Sequence, residues 1–185
     1  DYAWVQHMIA SMAKPHGRMA IVLPQGALFR KGAEGKIRTK LLEMDLLEAV
    51  IGLGPNLFYG TTLAACICIF RQQKDEQHMG KVLFIDASGL FKKGKNQNEL
   101  LTDHVDQIYS WYTAFDTKTG ISRVTSMDDI REQDYNLNIS LYVEPVIEED
   151  TTTVAEALAE LKKAAPECEA AEARLKQLLS EEGLL

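Results

Sequence analysis

Three short apolar runs in the first half of the chain are each bounded by glycine, proline or charged residues: 19–23, 46–53 and 64–70. Near-continuous aliphatic and β-branched runs of this length are typical of strands that are buried on both faces of a sheet. Between the first two runs, Ile37, Leu41 and Leu42 are spaced to form one apolar face of a helix. The pattern therefore predicts a strand–helix–strand unit within residues 17–71.

The flanking residues extend this α/β pattern. Before the first strand, Trp4, Met8 and Met12 fall four apart, with Val5 and Ile9 beside them, which predicts an amphipathic helix. A domain rarely begins with such a helix feeding a central strand, so we expect earlier strands of the same sheet to precede Asp1.

After the third run, the pattern predicts a strand over 81–86, a helix over 99–115 and a short edge strand over 121–127. The helical stripe comprises Leu101, Val105, Ile108 and Tyr112. Ser126 is positioned to cap a short helix that ends near Gln133. In 134–143 the apolar residues alternate, so we expect one face to pack on the body while asparagine side chains bond nearby backbone.

From residue 152 onward a seven-residue repeat appears, with one series at Val154, Leu161, Cys168 and Leu175 and a companion series at Ala157, Ala164, Ala171 and Leu178. This pattern predicts a coiled-coil-like tail with small residues in its seam. Pro166 removes a backbone donor within it, so two helices or one kinked helix are both possible. We expect two domains, 1–146 and 147–185. The tail either docks a partner or folds back on its own domain.

The net charge of −7 divides unevenly along the chain. Residues 1–127 carry 15 Lys/Arg against 12 Asp/Glu, or +3, and residues 128–185 carry 5 against 15, or −10. The basic excess lies in one cluster after the first strand, where open α/β sheets place their ligand crevice: Arg30, Lys31, Lys36, Arg38 and Lys40. The alternative is a solvated helix face. The acidic tail is typical of a surface that faces another protein.

Other features exclude some classes of function. No apolar run approaches the roughly 20 residues of a membrane helix, so we expect no membrane partner. Cys66 and Cys68 lie two apart on a predicted strand and cannot easily bridge, which favours buried thiols in a reducing cytoplasm. No second Cys/His pair stands at ligand spacing, so we expect no metal site. Phe58 and Tyr59 stand in a glycine-containing loop. Exposure of their rings to water there is unfavourable unless a partner covers them.

Six segments resemble, in order, the C-terminal part of the modification (M) subunit of type I restriction–modification systems: 1–8, 17–30, 47–53, 56–61, 82–88 and 134–139. The resemblance implies an adenine-N6 DNA methyltransferase that uses S-adenosylmethionine. Such a subunit works with a specificity (S) subunit, and with a restriction (R) subunit when the complex cuts DNA. The implied fold is the C-terminal half of a Rossmann-like methyltransferase sheet with an antiparallel terminal hairpin, followed by a helical tail.

The family's glycine-rich cofactor motif and its catalytic Asn-Pro-Pro-Phe motif lie before the point that corresponds to Asp1, and neither occurs in this sequence. Gly52-Leu-Gly54 follows a predicted strand but lacks the third glycine and the helix of a cofactor loop. The resemblance therefore assigns no catalytic residue to this chain, and we expect the chain alone to be inactive.

The resemblance does assign binding roles. Phe58, with Tyr59 second, would stack on the flipped target adenine, and Pro24 and Gly60 would shape the neighbouring backbone. The DNA backbone would be contacted by Arg30, Lys31, Lys36 and Arg38. The S subunit would be contacted by Val154, Leu161, Leu175 and Leu178. Two alternatives remain open: a non-catalytic assembly module that docks a partner through the tail, and an unrelated α/β domain with limited similarity.

Overall fold

The computed structural model describes residues 1–144 and 153–181. The chain divides into two compact units, Asp1–Val146 and Ile147–Leu185. The helices are α1 (Tyr2–Ser11), α2 (Ala33–Glu43), α3 (Thr102–Ala114), α4 (Met127–Glu132) and α5 (Val154–Glu181). The strands are β1 (Arg18–Pro24), β2 (Leu47–Leu53), β3 (Ala65–Arg71), β4 (Lys81–Ala87) and β5 (Ser122–Ser126).

The five strands of the first unit form one mixed sheet in the order β1-β3-β2-β4-β5. β3 runs antiparallel to both of its neighbours, β2 and β4 are parallel, and β5 is antiparallel to β4. As a result β1, β2 and β4 all end at one edge of the sheet, where β3 begins. We call this the C-terminal edge. The predicted α/β class is confirmed.

The predicted strand–helix–strand unit forms from β1, α2 and β2, but β3 lies between its two strands. The prediction that all three apolar runs are buried on both faces is wrong for β1. Among its seven residues only Leu23 is buried, and Val22 is 50% exposed. β1 pairs with β3 alone among the described strands, so its burial alternates as at a sheet edge. β2, which lies between β3 and β4, is buried throughout.

The sheet has an apolar core on each face. The larger core packs α1, α2, α4 and segment 134–143 against the sheet, and the smaller one packs α3 against residues such as Ile51, Leu83 and Ile85. Cys66 and Cys68 are free and buried in the larger core.

Two helix faces differ from their predictions. In α1 the buried residues are Tyr2 and Val5, and Trp4 is 71% exposed. In α3 Ile108 and Trp111 are buried, while Val105 is exposed. In both helices the apolar repeat predicts the element correctly, but the way the helix packs on the sheet decides which residues are buried.

The end of the first unit follows its local signals closely. The Ser126 side chain accepts from the backbone N–H of Asp129, capping α4 as predicted. The Asn136 side chain accepts from the backbone N–H of Asn138 at 3.0 Å, which confirms the predicted asparagine bonding. The predicted alternation ends at a 3₁₀ turn over Ile139–Leu141, which leaves Leu141 exposed.

In the second unit, α5 runs continuously through Pro166, so the helix does not split there. Thr153 begins it with a reciprocal cap, because its hydroxyl accepts from the N–H of Glu156 while the Glu156 carboxylate accepts from the Thr153 N–H. In the described ranges, no helix combines the length and the apolar character that crossing a membrane would need.

Candidate functional site

The loop between β2 and β3, residues 54–64, lies at the C-terminal edge and is named here the Phe58 loop. Phe58 and Thr61 form an isolated bridge across its tip, and the Asn56 N–H donates to the Thr62 carbonyl at 3.3 Å. Gly60 completes the turn with φ of +76°, where an L side chain would be strained. The turn leaves Phe58 41% exposed and Tyr59 95% exposed.

Pro24 is the last residue of β1 and lies opposite Ala65, the first residue of β3. The next residue, Gln25, donates from its backbone N–H to the Ala64 carbonyl at 3.4 Å. Pro24 therefore lies beside the point where the Phe58 loop enters the sheet.

Three of the four predicted DNA-backbone residues are exposed and follow β1 at this same edge. Lys31 and Lys36 are exposed at the start of α2. Arg30 is also exposed, but its guanidinium forms ion pairs with Asp1 at 2.7 Å and with Glu34 at 3.5 Å. Arg30 would have to exchange these carboxylates for a phosphate, whereas the two lysines have no ion pair among the described residues.

The expectation for Arg38 is wrong. Its residue is only 4% exposed, and its guanidinium donates to three backbone carbonyls, those of Ala27, Arg30 and Tyr135, at 2.9–3.1 Å. A guanidinium that satisfies three carbonyls inside the fold is not available to an external phosphate. The charge of Arg38 therefore serves the packing of α2, and we leave it out of the candidate site.

A second loop at the C-terminal edge was not predicted as part of the site. Residues 91–98, named here the lysine loop, follow β4 and contain Lys92, Lys93 and Lys95, all exposed. The Gln97 side chain donates to the Leu57 carbonyl at 2.7 Å, one residue before Phe58. The run of lysines and amides was visible in the sequence, but its contact with the Phe58 loop, about 40 positions away, was not.

The space beside the two glycines that most resemble a cofactor loop is occupied by side chains of the chain itself. A Cβ at Gly52 would collide with the Ile139 side chain, and one at Gly54 would collide with the ring of Phe91. Neither glycine offers open backbone to a ligand, so the described residues do not fit S-adenosylmethionine at this point.

At the opposite edge of the sheet, the almost fully buried carboxylate of Glu48 accepts hydrogen bonds from Arg71 at 2.9 Å and from the Tyr112 hydroxyl at 2.5 Å. Burial, followed by the bond to Glu48, raises the pKa of Tyr112 to about 12. Glu48, Asp75 and His78 bring ligand atoms within 4.8 Å of one another. The Arg71 guanidinium contacts both carboxylates and offsets one of their two negative charges. Sequence reasoning missed this network.

The predicted seam of the tail lies along α5. Its apolar residues Val154, Leu158, Leu161, Leu175 and Leu178 are each more than half exposed. Cys168, in the same series, is free and exposed.

Comparison with known proteins places this geometry in a family. The family model described as N-6 DNA methylase matches residues 1–151. The methylase subunits of the type I restriction enzymes MjaVII and MjaVIII from Methanocaldococcus jannaschii are 42% and 39% identical to this chain. Each match covers 88% of this chain and 28% of the relative. The chain therefore spans less than a third of the length of these curated relatives.

A solved structure agrees with the sequence relatives. The methyltransferase subunit of a type I restriction–modification system from Streptococcus thermophilus matches with a TM-score of 0.74 and 40% identity, over 78% of this chain and 30% of that one. The predicted methyltransferase sheet and the resemblance to type I modification subunits are thus both confirmed. The chain belongs to the N-6 DNA methylase family.

Proposed function

We propose that this chain is the target-base-binding segment of an adenine-N6 DNA methyltransferase, the modification subunit of a type I restriction–modification system. One observation carries the proposal: a tight turn holds the partly exposed ring of Phe58 at the edge where β1, β2 and β4 end. Open α/β sheets bind their ligands at this edge. The exposed Lys31 and Lys36 follow β1 at the same edge.

Phe58 acts on the target base by stacking. A methyltransferase cannot reach the amine of a paired, stacked adenine, so the base is turned out of the duplex. An aromatic face replaces the lost stacking and contributes about 1–3 kcal/mol. Phe58 is the first candidate and Tyr59 the second, while Pro24 and Gly60 shape the backbone around them. Arg30, Lys31 and Lys36 contact phosphates and so position the duplex without reading its sequence.

The methyl-transfer chemistry lies outside this sequence. The catalytic Asn-Pro-Pro-Phe motif and the glycine-rich motif are absent from it. S-adenosylmethionine, the methyl donor, is therefore proposed as the cofactor of the full-length subunit, and the chain alone is inactive. Its compartment is the cytoplasm, which the free, buried Cys66 and Cys68 favour.

The partners of the full-length subunit are DNA, the S subunit and, in the complete complex, the R subunit. The exposed apolar series along α5 supports docking against another helix, because small residues in such a seam allow close approach. The same observation supports the second candidate function, an assembly module without catalysis of its own.

The test replaces Phe58 in the full-length subunit, assembled with its S subunit. Phe58→Ala should lower the rate of adenine methylation about 5- to 150-fold, the equivalent of the missing stacking energy. Phe58→Trp should retain most of the activity, because only an aromatic face is needed. Trp4→Ala, an exposed aromatic on α1, is the matched control and should methylate like wild type.

Wild-type rates for both Phe58 variants would show that another residue stacks on the base. Loss of the folded state in both, detected by circular dichroism, would assign Phe58 to packing. If the wild-type complex methylates no DNA while it still assembles, the assembly module is the better account.

A further inference from the structure

The lysine loop is a closed, specific structure. Lys92 and Glu99 exchange two backbone hydrogen bonds, of 2.8 and 3.0 Å, across its base. Gly94 makes the turn between them possible, because a Cβ there would collide with the backbone of Gln97. The loop therefore holds its residues in a defined place at the C-terminal edge.

Asparagine hydrogen bonds join this loop to the start of the Phe58 loop. Asn98 donates from its backbone N–H to the Asn56 carbonyl at 2.8 Å and from its side chain to the Pro55 carbonyl at 2.9 Å. Asn56 donates in turn from its own side chain to the Asn96 carbonyl at 3.2 Å. Three hydrogen bonds thus fix the backbone of one loop against that of the other.

Two further contacts join the loops, one directly before Phe58 and one at the first residue of the Phe58 loop. The Gln97 amide donates to the Leu57 carbonyl at 2.7 Å, immediately before Phe58. The Phe91 ring packs over Gly54, at the end of β2. The position of Phe58 therefore depends on the lysine loop as well as on its own turn.

The same loop carries a concentrated positive charge. Lys92, Lys93 and Lys95 are exposed, and residues 91–98 contain no acidic residue. None of the three lysines has an ion pair among the described residues. Exposed lysines next to a nucleic-acid site neutralise phosphates and release condensed counterions.

We propose that the lysine loop binds the DNA backbone beside the target base and positions Phe58 through Gln97 and Asn98. This inference rests on the proposed function, and it adds a phosphate-binding element that is separate from Arg30, Lys31 and Lys36. Lys92, Lys93 and Lys95 would supply affinity for any duplex, since phosphate contacts carry no sequence information. Gln97 and Asn98 are positioning residues, because they act through the backbone of the Phe58 loop.

The phosphate contacts are tested with the full-length subunit and its S subunit on a labelled duplex. The triple variant Lys92→Ala/Lys93→Ala/Lys95→Ala should reduce the slope of log K against log salt by about 0.9 for each phosphate that the loop no longer neutralises. Binding should weaken by the same factor on target and non-target duplexes. A triple Lys→Arg variant, which keeps the charge, should keep the wild-type slope.

The matched control replaces three exposed cations by alanine, Lys14, Arg18 and Lys81, which lie before β1, at the start of β1 and at the start of β4. This control should bind with the wild-type slope, because these positions lie toward the opposite edge of the sheet. A wild-type slope in the lysine-loop triple variant would overturn the phosphate-binding role of the loop. An equal reduction in the control would also overturn it, since the effect would then reflect net charge alone.

The positioning role is tested with 2-aminopurine in place of the target adenine, since its fluorescence rises when the base leaves the stack. Gln97→Ala should lower that fluorescence and kcat several-fold while leaving the affinity for DNA unchanged. Unchanged fluorescence in a folded Gln97→Ala/Asn98→Ala variant would overturn the positioning role. Absence of methylation by the wild-type complex would instead overturn the proposed function, and the salt-slope comparison would still decide whether the loop binds phosphates.

Discussion

Arg38 and Tyr135 are 97 positions apart in the sequence, yet the guanidinium Nε of Arg38 donates to the Tyr135 carbonyl at 2.9 Å. The other two acceptors of Arg38, the carbonyls of Ala27 and Arg30, lie in the segment after β1. One buried cation thus joins α2, the segment after β1 and the segment after α4.

Replacing Arg38 should therefore destabilise the first unit. Arg38→Met keeps much of the side-chain length but leaves three carbonyls without their donor, and we expect a decrease of about 3 kcal/mol in the free energy of unfolding. Urea unfolding followed by circular dichroism measures this decrease. Lys36→Met, an exposed position on the same helix, should change the stability by less than about 0.5 kcal/mol. Equal decreases in the two variants would contradict the structural role of Arg38.

Tyr112 should make the stability of the chain fall at alkaline pH. Its pKa is raised to about 12 in the folded state, whereas the pKa of tyrosine in the unfolded state is about 10. The folded state therefore holds the hydroxyl proton more tightly. The resulting stabilisation is complete below a pH of about 10 and is lost as the pH rises from about 10 to about 12.

The unfolding midpoint in urea, measured from a pH of about 9 to about 12, tests this expectation. Tyr112→Phe should be less stable at the lower end of this range, because Glu48 loses a hydrogen bond, but its stability should fall less steeply at the upper end. Burial also raises the pKa of Tyr2 and Tyr142 to about 12, so the decline should be reduced and not abolished. If the stability of Tyr112→Phe falls with pH as steeply as that of wild type, Tyr112 does not cause the alkaline loss of stability.

The 185-residue chain alone should show no measurable binding of S-adenosylmethionine in a calorimeter. Gly52 and Gly54 are covered by Ile139 and Phe91, and the sequence holds no other glycine-rich cofactor motif. The full-length subunit, titrated in the same buffer, is the positive control. Micromolar affinity of the chain alone would mean that its residues form more of the cofactor site than the structure indicates.

The α5 seam should be required for assembly with the S subunit. Deleting residues 152–185 from the full-length subunit should leave cofactor binding nearly unchanged but reduce co-purification with the S subunit, and site-specific methylation should fall as a consequence. The acidic flanks of the seam favour a partner with basic flanks.

A single substitution gives a sharper comparison. Leu161→Asp places a charge in the seam, whereas Ala170→Asp adds the same charge outside the two repeat series. Only Leu161→Asp should weaken co-purification. Wild-type assembly by both the deletion and Leu161→Asp would exclude this seam as the surface that binds the S subunit.

Local patterns predicted most of the fold. The three apolar runs predicted β1, β2 and β3, the pattern over 81–86 predicted β4, and the cap at Ser126 predicted α4, because these signals depend on neighbours in the sequence. The partner that covers a residue is not a local property. The burial of Arg38 depends on Tyr135, and the exposure of Trp4 depends on which face of α1 meets the sheet. For the same reason, the lysine loop could not be assigned to the Phe58 loop from sequence.

The place of β1 in the sheet has a consequence during synthesis. β1 leaves the ribosome long before β3, the one described strand to which it bonds, because α2, β2 and the Phe58 loop must be translated in between. At about 5–20 residues per second, this interval lasts several seconds. Throughout it the backbone edge of β1 that later bonds to β3 lacks that strand, so this edge is open to a nascent-chain chaperone.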